Sequence, residues 1–240
     1  MRRISLCILC AIMCVFYHAL PVAAAQDEEA IIAAFYDDAV LVGDSVMQQI
    51  GRYKMAQDEK GRMLLGRARF LTASSYTLYQ GSRITPLTHK VAFRMGGERI
   101  SLSKALKRMG AGKAIILLGL NDQAGDRLQN DIKMYARLID LNRKDNPHMQ
   151  LIAMSVTPIM KSAQTKTLNQ KNFDAFNEAL QALCEEQGLL YLDMASHLKD
   201  DKGFLNPAYF SEDRVHLNRE GMEVFIERLR AFALEHSAQP

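Results

Sequence analysis

The chain of 240 residues lacks tryptophan, is low in proline and carries almost no excess of charge. Its 6 Pro and 14 Gly are far from the content of collagen-like or low-complexity chains. Two of the 30 basic residues, Arg2 and Arg3, lie near the N-terminus, so the other 28 nearly balance the 27 acidic residues. Binding to the phosphates of nucleic acid requires a basic excess, so we expect no nucleic-acid partner. What is present, 48% hydrophobic and 24% charged residues, is typical of a soluble globular domain.

Cysteine is almost absent beyond the first 25 residues. Three of the four cysteines precede residue 15, which leaves only Cys184 in the rest of the chain. A single thiol forms neither an intrachain disulfide nor a cysteine metal cluster. Because Cys184 lies on the apolar side of a helical pattern, we predict a small core residue rather than a nucleophile.

The first 25 residues have the pattern of a secretory signal peptide. Two arginines precede an apolar run over residues 4–17, and three consecutive alanines end at residue 25. We predict that residues 1–25 are removed and that a mature chain of residues 26–240 is periplasmic or secreted; an uncleaved anchor is the alternative. No later stretch approaches the roughly 20 apolar residues of a membrane helix, so no stable membrane span is expected after cleavage.

From residue 39 onward, short apolar runs alternate with helical patterns. The runs have little polar alternation, as expected for parallel strands covered on both faces. They cover residues 39–42, 68–72, 114–118, 151–156 and 189–192. Helices are predicted near residues 46–59, 101–109, 126–144, 168–187 and 218–235. This alternation predicts a single α/β domain with a doubly wound parallel sheet, whose ligands bind at the carboxyl ends of the strands.

Two stretches depart from a simple alternation of strands and helices. Residues 73–100 contain Gly81, Pro86 and a Gly-Gly pair, which favours an insertion with a hairpin. Residues 157–167 are predicted to form a polar loop after the fourth strand. Both stretches follow a predicted strand, so we expect both at the ligand-binding edge of the sheet.

Three polar motifs could carry chemistry. Gly43-Asp44-Ser45 follows the first apolar run and opens a helix, where free N–H groups favour negative charge. Asn121, in Gly119-Leu120-Asn121-Asp122, follows the third run and could donate a hydrogen bond to an oxyanion. Asp213 precedes His216 by three residues and could orient its imidazole. Each motif is a weak signal when taken alone. A helix cap is the more frequent role of Gly43-Asp44-Ser45, and a turn in which Asp122 caps the next helix is the favoured interpretation of residues 119–122.

Taken together, the three motifs resemble the SGNH hydrolases, also called the GDSL family, over about residues 39–235. The resemblance implies a three-layer α/β/α sandwich around a five-stranded parallel sheet of the flavodoxin-like kind. It also implies that Ser45 is the nucleophile, His216 the general base and Asp213 its orienting acid. The N–H of Ser45 and the side chain of Asn121 would then line the oxyanion hole.

The third oxyanion donor of the family departs from the usual pattern. The family normally offers a glycine N–H after the second strand, but this chain has no glycine there until Gly81. Ser74 or Ser75 fits by position, and Gly81 fits by residue type. We take Ser75 as the expected donor.

The resemblance implies an exported serine hydrolase that forms an acyl-enzyme on an ester substrate. Polar sequences at residues 82–85 and 161–164 favour a short acyl group, such as O-acetyl, on a carbohydrate or cell-envelope glycan. One alternative is an O-acetyltransferase with the same triad and a membrane acyl-donor partner, and another is a glycan-binding protein without activity. No cofactor and no metal are expected, because the sequence has neither a ligand cluster nor a Gly-x-Gly-x-x-Gly fingerprint.

Overall fold

The structure, a computed structural model, describes residues 26–86, 91–122, 127–166, 168–213 and 215–237. The predicted signal peptide lies outside the described residues. The first described element is a helix over residues 26–36, here α1, which the sequence analysis did not predict. Its residues Phe35 and Tyr36 are buried, and the Tyr36 hydroxyl donates a hydrogen bond to the Leu229 carbonyl at 2.7 Å. This helix is therefore part of the packed domain.

Seven strands and seven further helices follow in the described chain. The strands are β1 (Ala39–Gly43), β2 (Arg69–Thr72), β3 (Phe93–Met95), β4 (Glu98–Ile100), β5 (Lys113–Leu117), β6 (Gln150–Met154) and β7 (Leu190–Leu192). The helices are α2 (Ser45–Asp58), α3 (Leu78–Gly81), α4 (Leu102–Met109), α5 (Leu128–Asp145), α6 (Gln170–Gln187), α7 (Ala195–Leu198) and α8 (Arg219–Ser237). All five predicted strands and all five predicted helices are present, with most ends within two residues of those predicted.

The main sheet has five strands in the order β2-β1-β5-β6-β7, and every neighbouring pair is parallel. Counted along the chain without the β3–β4 hairpin, this is the order 2-1-3-4-5 of flavodoxin-like folds. The prediction of a single α/β domain with a five-stranded parallel sheet is confirmed. The connections reverse direction between β1 and β5, and in such sheets this switch point is where ligands bind.

Helices cover both faces of the sheet. On one face α8 packs against α2 and α7, and on the other α5 packs against α3, α4 and α6. Every residue of β1 is buried, which explains why this strand reads as an unbroken apolar run. Cys184 of α6 is fully buried and free, so the prediction of a core residue is confirmed. No helix within the described ranges is long and apolar enough to cross a membrane.

The insertion over residues 73–100 contains the predicted hairpin and one short helix. Strands β3 and β4 pair antiparallel, and Gly96 and Gly97 both have positive φ in the turn between them. Before the hairpin, Thr77 and Gln80 form a capping box at the start of α3. This small helix was not predicted, because four residues show no helical period.

The stretch 157–167 differs from its prediction as a polar loop. Thr157 and Ile159 are buried, and the Ile159 N–H donates to the side-chain oxygen of Gln170 at 3.0 Å. The chain therefore continues from β6 beneath the start of α6 before it reaches the surface near a short 3-10 helix, Lys161–Ala163. A side chain of α6, 11 residues farther along the chain, satisfies this buried N–H, and such a contact is not visible in the hydrophobic pattern of the sequence.

Candidate active site

Ser45 is the first residue of α2, at the carboxyl end of β1. Asp44 caps this helix, because its carboxylate accepts the Val46 N–H at 3.0 Å. Gly43 allows the tight turn: a Cβ at this position would lie 2.4 Å from the Cβ of Met47 and 3.0 Å from the Leu117 carbonyl oxygen. The β5 backbone and α2 thus approach residue 43 too closely for a side chain. Ser45 is in this way placed at the N-terminus of α2, beside the switch point of the sheet.

His216 reaches Ser45 from the loop before α8. Its Nε2 lies 2.8 Å from the Ser45 Oγ, and its Nδ1 lies 2.5 Å from the Asp213 Oδ2. The other carboxylate oxygen of Asp213 accepts the His216 backbone N–H at 2.9 Å. These contacts assign the proton on Nδ1 to the bond with Asp213 and leave Nε2 to face the serine hydroxyl. The three predicted triad residues are therefore joined in one hydrogen-bonded chain.

Asp213 is held in its ionised form. Partial desolvation raises the pKa of Asp213, but the hydrogen bonds from His216, Val215 and Ser211 outweigh it and hold that pKa well below its usual range. The Ser211 hydroxyl donates at 2.8 Å and the Val215 N–H at 3.1 Å. A permanent negative charge therefore lies beside His216 throughout the neutral pH range.

Asn121 lies beside the triad, in contact with Asp44. Its Nδ2 donates to the Asp44 Oδ2 at 2.7 Å and, at 3.3 Å, to the Tyr76 carbonyl. Burial raises the pKa of Asp44 to about 6, against the lowering effects of the Val46 N–H and of His216. Above about pH 6 the ionised carboxylate of Asp44 accepts the Val46 N–H with its Oδ1 and the Asn121 side-chain N–H with its Oδ2. Asp44 thus positions the amide, a role that its sequence context as a helix cap does not reveal.

The three candidates for the third oxyanion donor differ in geometry. Ser75 has a φ of 58° and is the third residue of a turn in which the Tyr76 N–H donates to the Ala73 carbonyl at 3.0 Å. A residue with positive φ at this position of a turn is most often glycine. The Gly81 N–H donates to the Thr77 carbonyl within α3 and is not available. Ser75, whose N–H has no acceptor among the described residues, thus has the backbone conformation typical of glycine and stays the expected donor.

The third candidate, Ser74, has a different contact. Its hydroxyl donates to the Gln48 side-chain oxygen at 3.0 Å on the exposed surface of α2. The Ser74 N–H, like that of Ser75, has no acceptor among the described residues, so the positive φ of Ser75 is what distinguishes the two candidates.

Gln49 is a positioning residue that the sequence analysis missed. Its Nε2 donates to the Leu217 carbonyl at 2.6 Å, and its Oε1 accepts the Leu217 N–H at 3.1 Å. Gln49 lies one turn after Ser45 on α2, and Leu217 follows His216, so this pair of bonds fixes the distance between serine and histidine. A glutamine four residues after Ser45 was a possible signal, but glutamine is too common on helix surfaces to stand out.

Asp122 has a structural role. Its carboxylate accepts the Leu78 N–H at 2.8 Å and so caps α3, whereas the sequence analysis considered a cap of the following helix. Burial raises the pKa of Asp122 to about 7, and nearby Asp131 adds to the increase. Within the described segments, no three His, Cys, Asp or Glu side chains are placed to hold a metal ion. That the reaction needs no metal or cofactor stays a prediction.

A Ser-His-Asp hydrogen-bond chain at the carboxyl edge of a parallel sheet defines a serine hydrolase built on a doubly wound α/β fold. The family model described as the GDSL-like Lipase/Acylhydrolase family matches residues 41–224, so the chain belongs to that family. The resemblance recognised in the motifs is confirmed, and with it the prediction of an ester hydrolase. No curated protein matches the chain in sequence.

Several solved structures share the fold. A GDSL-like lipase from Bacteroides thetaiotaomicron is 15% identical, with a TM-score of 0.61 over 88% of this chain and 95% of that one. A carbohydrate esterase family 3 protein from Talaromyces cellulolyticus is 15% identical, with a TM-score of 0.55 over 83% of this chain and 97% of that one. An acetyl xylan esterase is 14% identical, with a TM-score of 0.55 over 81% of this chain and 98% of that one. At these identities the likeness establishes the fold alone.

Proposed function

We propose that this ester hydrolase is exported and removes short acyl groups, O-acetyl in particular, from a carbohydrate or cell-envelope glycan. The observation that carries the proposal is the chain of contacts from Ser45 through His216 to Asp213, at 2.8 and 2.5 Å. Export rests on the predicted signal peptide, residues 1–25, and mass spectrometry of the N-terminus of the mature protein tests it. The periplasm or the exterior is then the place of action.

The proposed reaction is acyl transfer through a serine ester. As the Ser45 Oγ attacks the ester carbonyl, His216 Nε2 takes the proton of the Ser45 hydroxyl. Asp213 stabilises the imidazolium that forms. The N–H groups of Ser45 and Ser75, with the Asn121 amide, stabilise the oxyanion. His216 then protonates the leaving sugar alcohol, and a water molecule activated by the same imidazole releases the acid and restores Ser45.

The cavity beside Ser75 and Asn121 supports a short acyl group on a polar alcohol. It has a volume of about 480 Å³ and lies between the turn that contains Ser75, the Asn121 loop and the hairpin. Seven of its eight described lining residues carry a polar group, although apolar atoms contribute the larger share of its surface: Ser75, Thr77, Tyr79, Gln80, Val91, Asn121, Asp122 and Arg127. These polar groups favour a small acyl group on a polar alcohol over a long acyl chain.

Replacing Asn121 with alanine should lower kcat by on the order of 10²–10³, the usual effect of losing one oxyanion donor. The bond of Asn121 to the Tyr76 carbonyl, at 3.3 Å, is the weaker of its two, and we propose that the oxyanion takes its place. Steady-state kinetics on a p-nitrophenyl acetate substrate measure the effect, and a thermal melt confirms the fold. If kcat is unchanged, Asn121 is only a turn residue that holds Asp44.

Activity should be highest on acetyl esters and decline steadily with acyl length, because every described residue that lines the cavity except Val91 carries a polar group. The measurement is kcat/KM for p-nitrophenyl esters from acetate to decanoate, with the Ser45→Ala variant as the blank. A preference for the long esters would contradict the proposed substrate class.

Adding an unacetylated glycan to the acetate assay tests the transferase alternative, since transfer yields an acetylated glycan and hydrolysis yields free acetate.

A further inference from the structure

Three neighbouring cavities, here together called the groove, share lining residues in pairs. The cavity beside Ser75 and Asn121 shares Tyr79 and Arg127 with a second one, of about 490 Å³. The second cavity shares Ile84 and Thr85 with a third, of about 550 Å³. The groove thus begins at the oxyanion side of the candidate active site and runs over the surface formed by α3, α4 and α5.

The lining of the second cavity is strongly basic. It contains Arg83, Arg127, Lys133 and Arg137, and no acidic residue lines it within the described part of the chain. The basic character continues into the third cavity, where Glu98 is the one acid among the described lining residues. The cations of that cavity are Arg99, Lys104, Lys107 and Arg108. This concentration of positive charge is local, because the whole chain has a formal charge of only +3.

The side chains of the second cavity are placed to meet a ligand. Lys133 and Arg137 are exposed and lie on one face of α5, one turn apart. The guanidinium of Arg83 donates to the Tyr79 hydroxyl at 3.1 Å and lies 5.3 Å from the centre of its ring. None of these three cations forms an ion pair with a carboxylate in the described chain, so their charges are available to an outside anion.

We propose that the groove binds an acidic polysaccharide that carries carboxylates along its chain, with its O-acyl ester at Ser45. This inference rests on the proposed function and names its substrate class. Arginine presents a planar pair of donors that matches a carboxylate, and mutual repulsion of the cations is relieved when such groups bind. From Leu128 to Arg137 the helix extends roughly 14 Å, which is longer than a single sugar, so a polymer rather than a monosaccharide fits the groove.

The experiment compares two substrates that differ only in charge. They are O-acetylated polygalacturonate and the same polymer after its carboxylates have been reduced to alcohols and the hydroxyls acetylated to the same extent. The double variant Lys133→Gln/Arg137→Gln should raise KM for the acidic polymer by roughly tenfold at low salt, with little change in kcat. The reduced polymer and p-nitrophenyl acetate should show no change. Added salt should raise the wild-type KM for the acidic polymer alone.

The matched control is Arg52→Gln/Lys60→Gln, which removes the same charge from exposed positions of α2 and of the turn after it, on the opposite face of the sheet. Equal KM values for the two polymers in the wild type would overturn the groove proposal while p-nitrophenyl acetate hydrolysis still supports the proposed function. A KM increase in the control as large as in the double variant would also overturn it. So would stronger competitive inhibition by a polyphosphate or an oligonucleotide than by unacetylated polygalacturonate. Absence of Ser45-dependent hydrolysis of every ester would instead reject the proposed function itself.

Discussion

Replacing Ser45 with alanine should abolish covalent labelling by a fluorophosphonate and lower kcat by on the order of 10⁶-fold. The Ser45 Oγ is the atom that His216 Nε2 faces at 2.8 Å, and removing it removes the bond-forming atom of the acyl-enzyme. The fold should be unaffected, since Asp44 and not Ser45 provides the side chain that caps α2. Labelling followed by mass spectrometry, with kcat for p-nitrophenyl acetate, measures both effects.

Ser74→Ala is the matched control for this experiment. Ser74 is a nearby serine whose hydroxyl contacts Gln48, so its loss should leave labelling and kcat close to those of the wild type. Persistent labelling of the Ser45→Ala variant would show that the reagent attacks another serine, and the triad assignment would then be wrong.

Replacing Asp213 with asparagine should lower kcat/KM by about 10⁴-fold, the order expected when the orienting carboxylate of a triad is lost. Asparagine retains the shape but has no charge to stabilise the imidazolium. Its amide can also hold the ring in the wrong tautomer. Glu212→Gln is the matched control, because it removes the same charge from an exposed neighbouring residue. A kcat/KM in Asp213→Asn that is equal to the control would leave His216 without a catalytic partner.

Stability provides an independent measurement on the same variant. The fold holds the pKa of Asp213 well below its ordinary value of about 4, so the carboxylate contributes to the free energy of unfolding above that pH. This contribution is lost as the pH falls toward the lower, folded-state value. The stability difference between wild type and Asp213→Asn should therefore be present at neutral pH and shrink on acidification. A purely structural role would give this stability difference without the loss of kcat/KM.

The strands and long helices were predictable because each has a local signal. Buried parallel strands such as β1 are continuous apolar runs, and α8 is preceded by Asn218, whose side chain accepts the Gly221 N–H at 2.9 Å. Elements without such a signal were missed or misjudged. Helix α3 is too short for a period, and the stretch after β6 is buried because Gln170 satisfies its backbone from another part of the chain.

The residues of the site were predictable one by one, but their functions could not be separated from simpler ones by local sequence. Gly43-Asp44-Ser45 is also a good helix start, and in the structure Asp44 does cap α2 while it holds Asn121 at 2.7 Å. Gln49 was not recognised, because its importance lies in two hydrogen bonds to Leu217, 168 residues later.

The sequence by itself determined the class of fold and the order of the strands along the chain, because hydrophobic period and turn chemistry are local properties of the chain. The three residues of the candidate triad were identified by the resemblance of their motifs to the SGNH family. Only the tertiary structure decided that Gly81 has no free N–H, that Ser75 takes the backbone conformation of a glycine, and that Arg83, Lys133 and Arg137 line one cavity. The physical reason is that hydrogen-bond satisfaction and electrostatic clustering depend on distances between segments far apart in the chain, and the packing of helices on the sheet sets those distances.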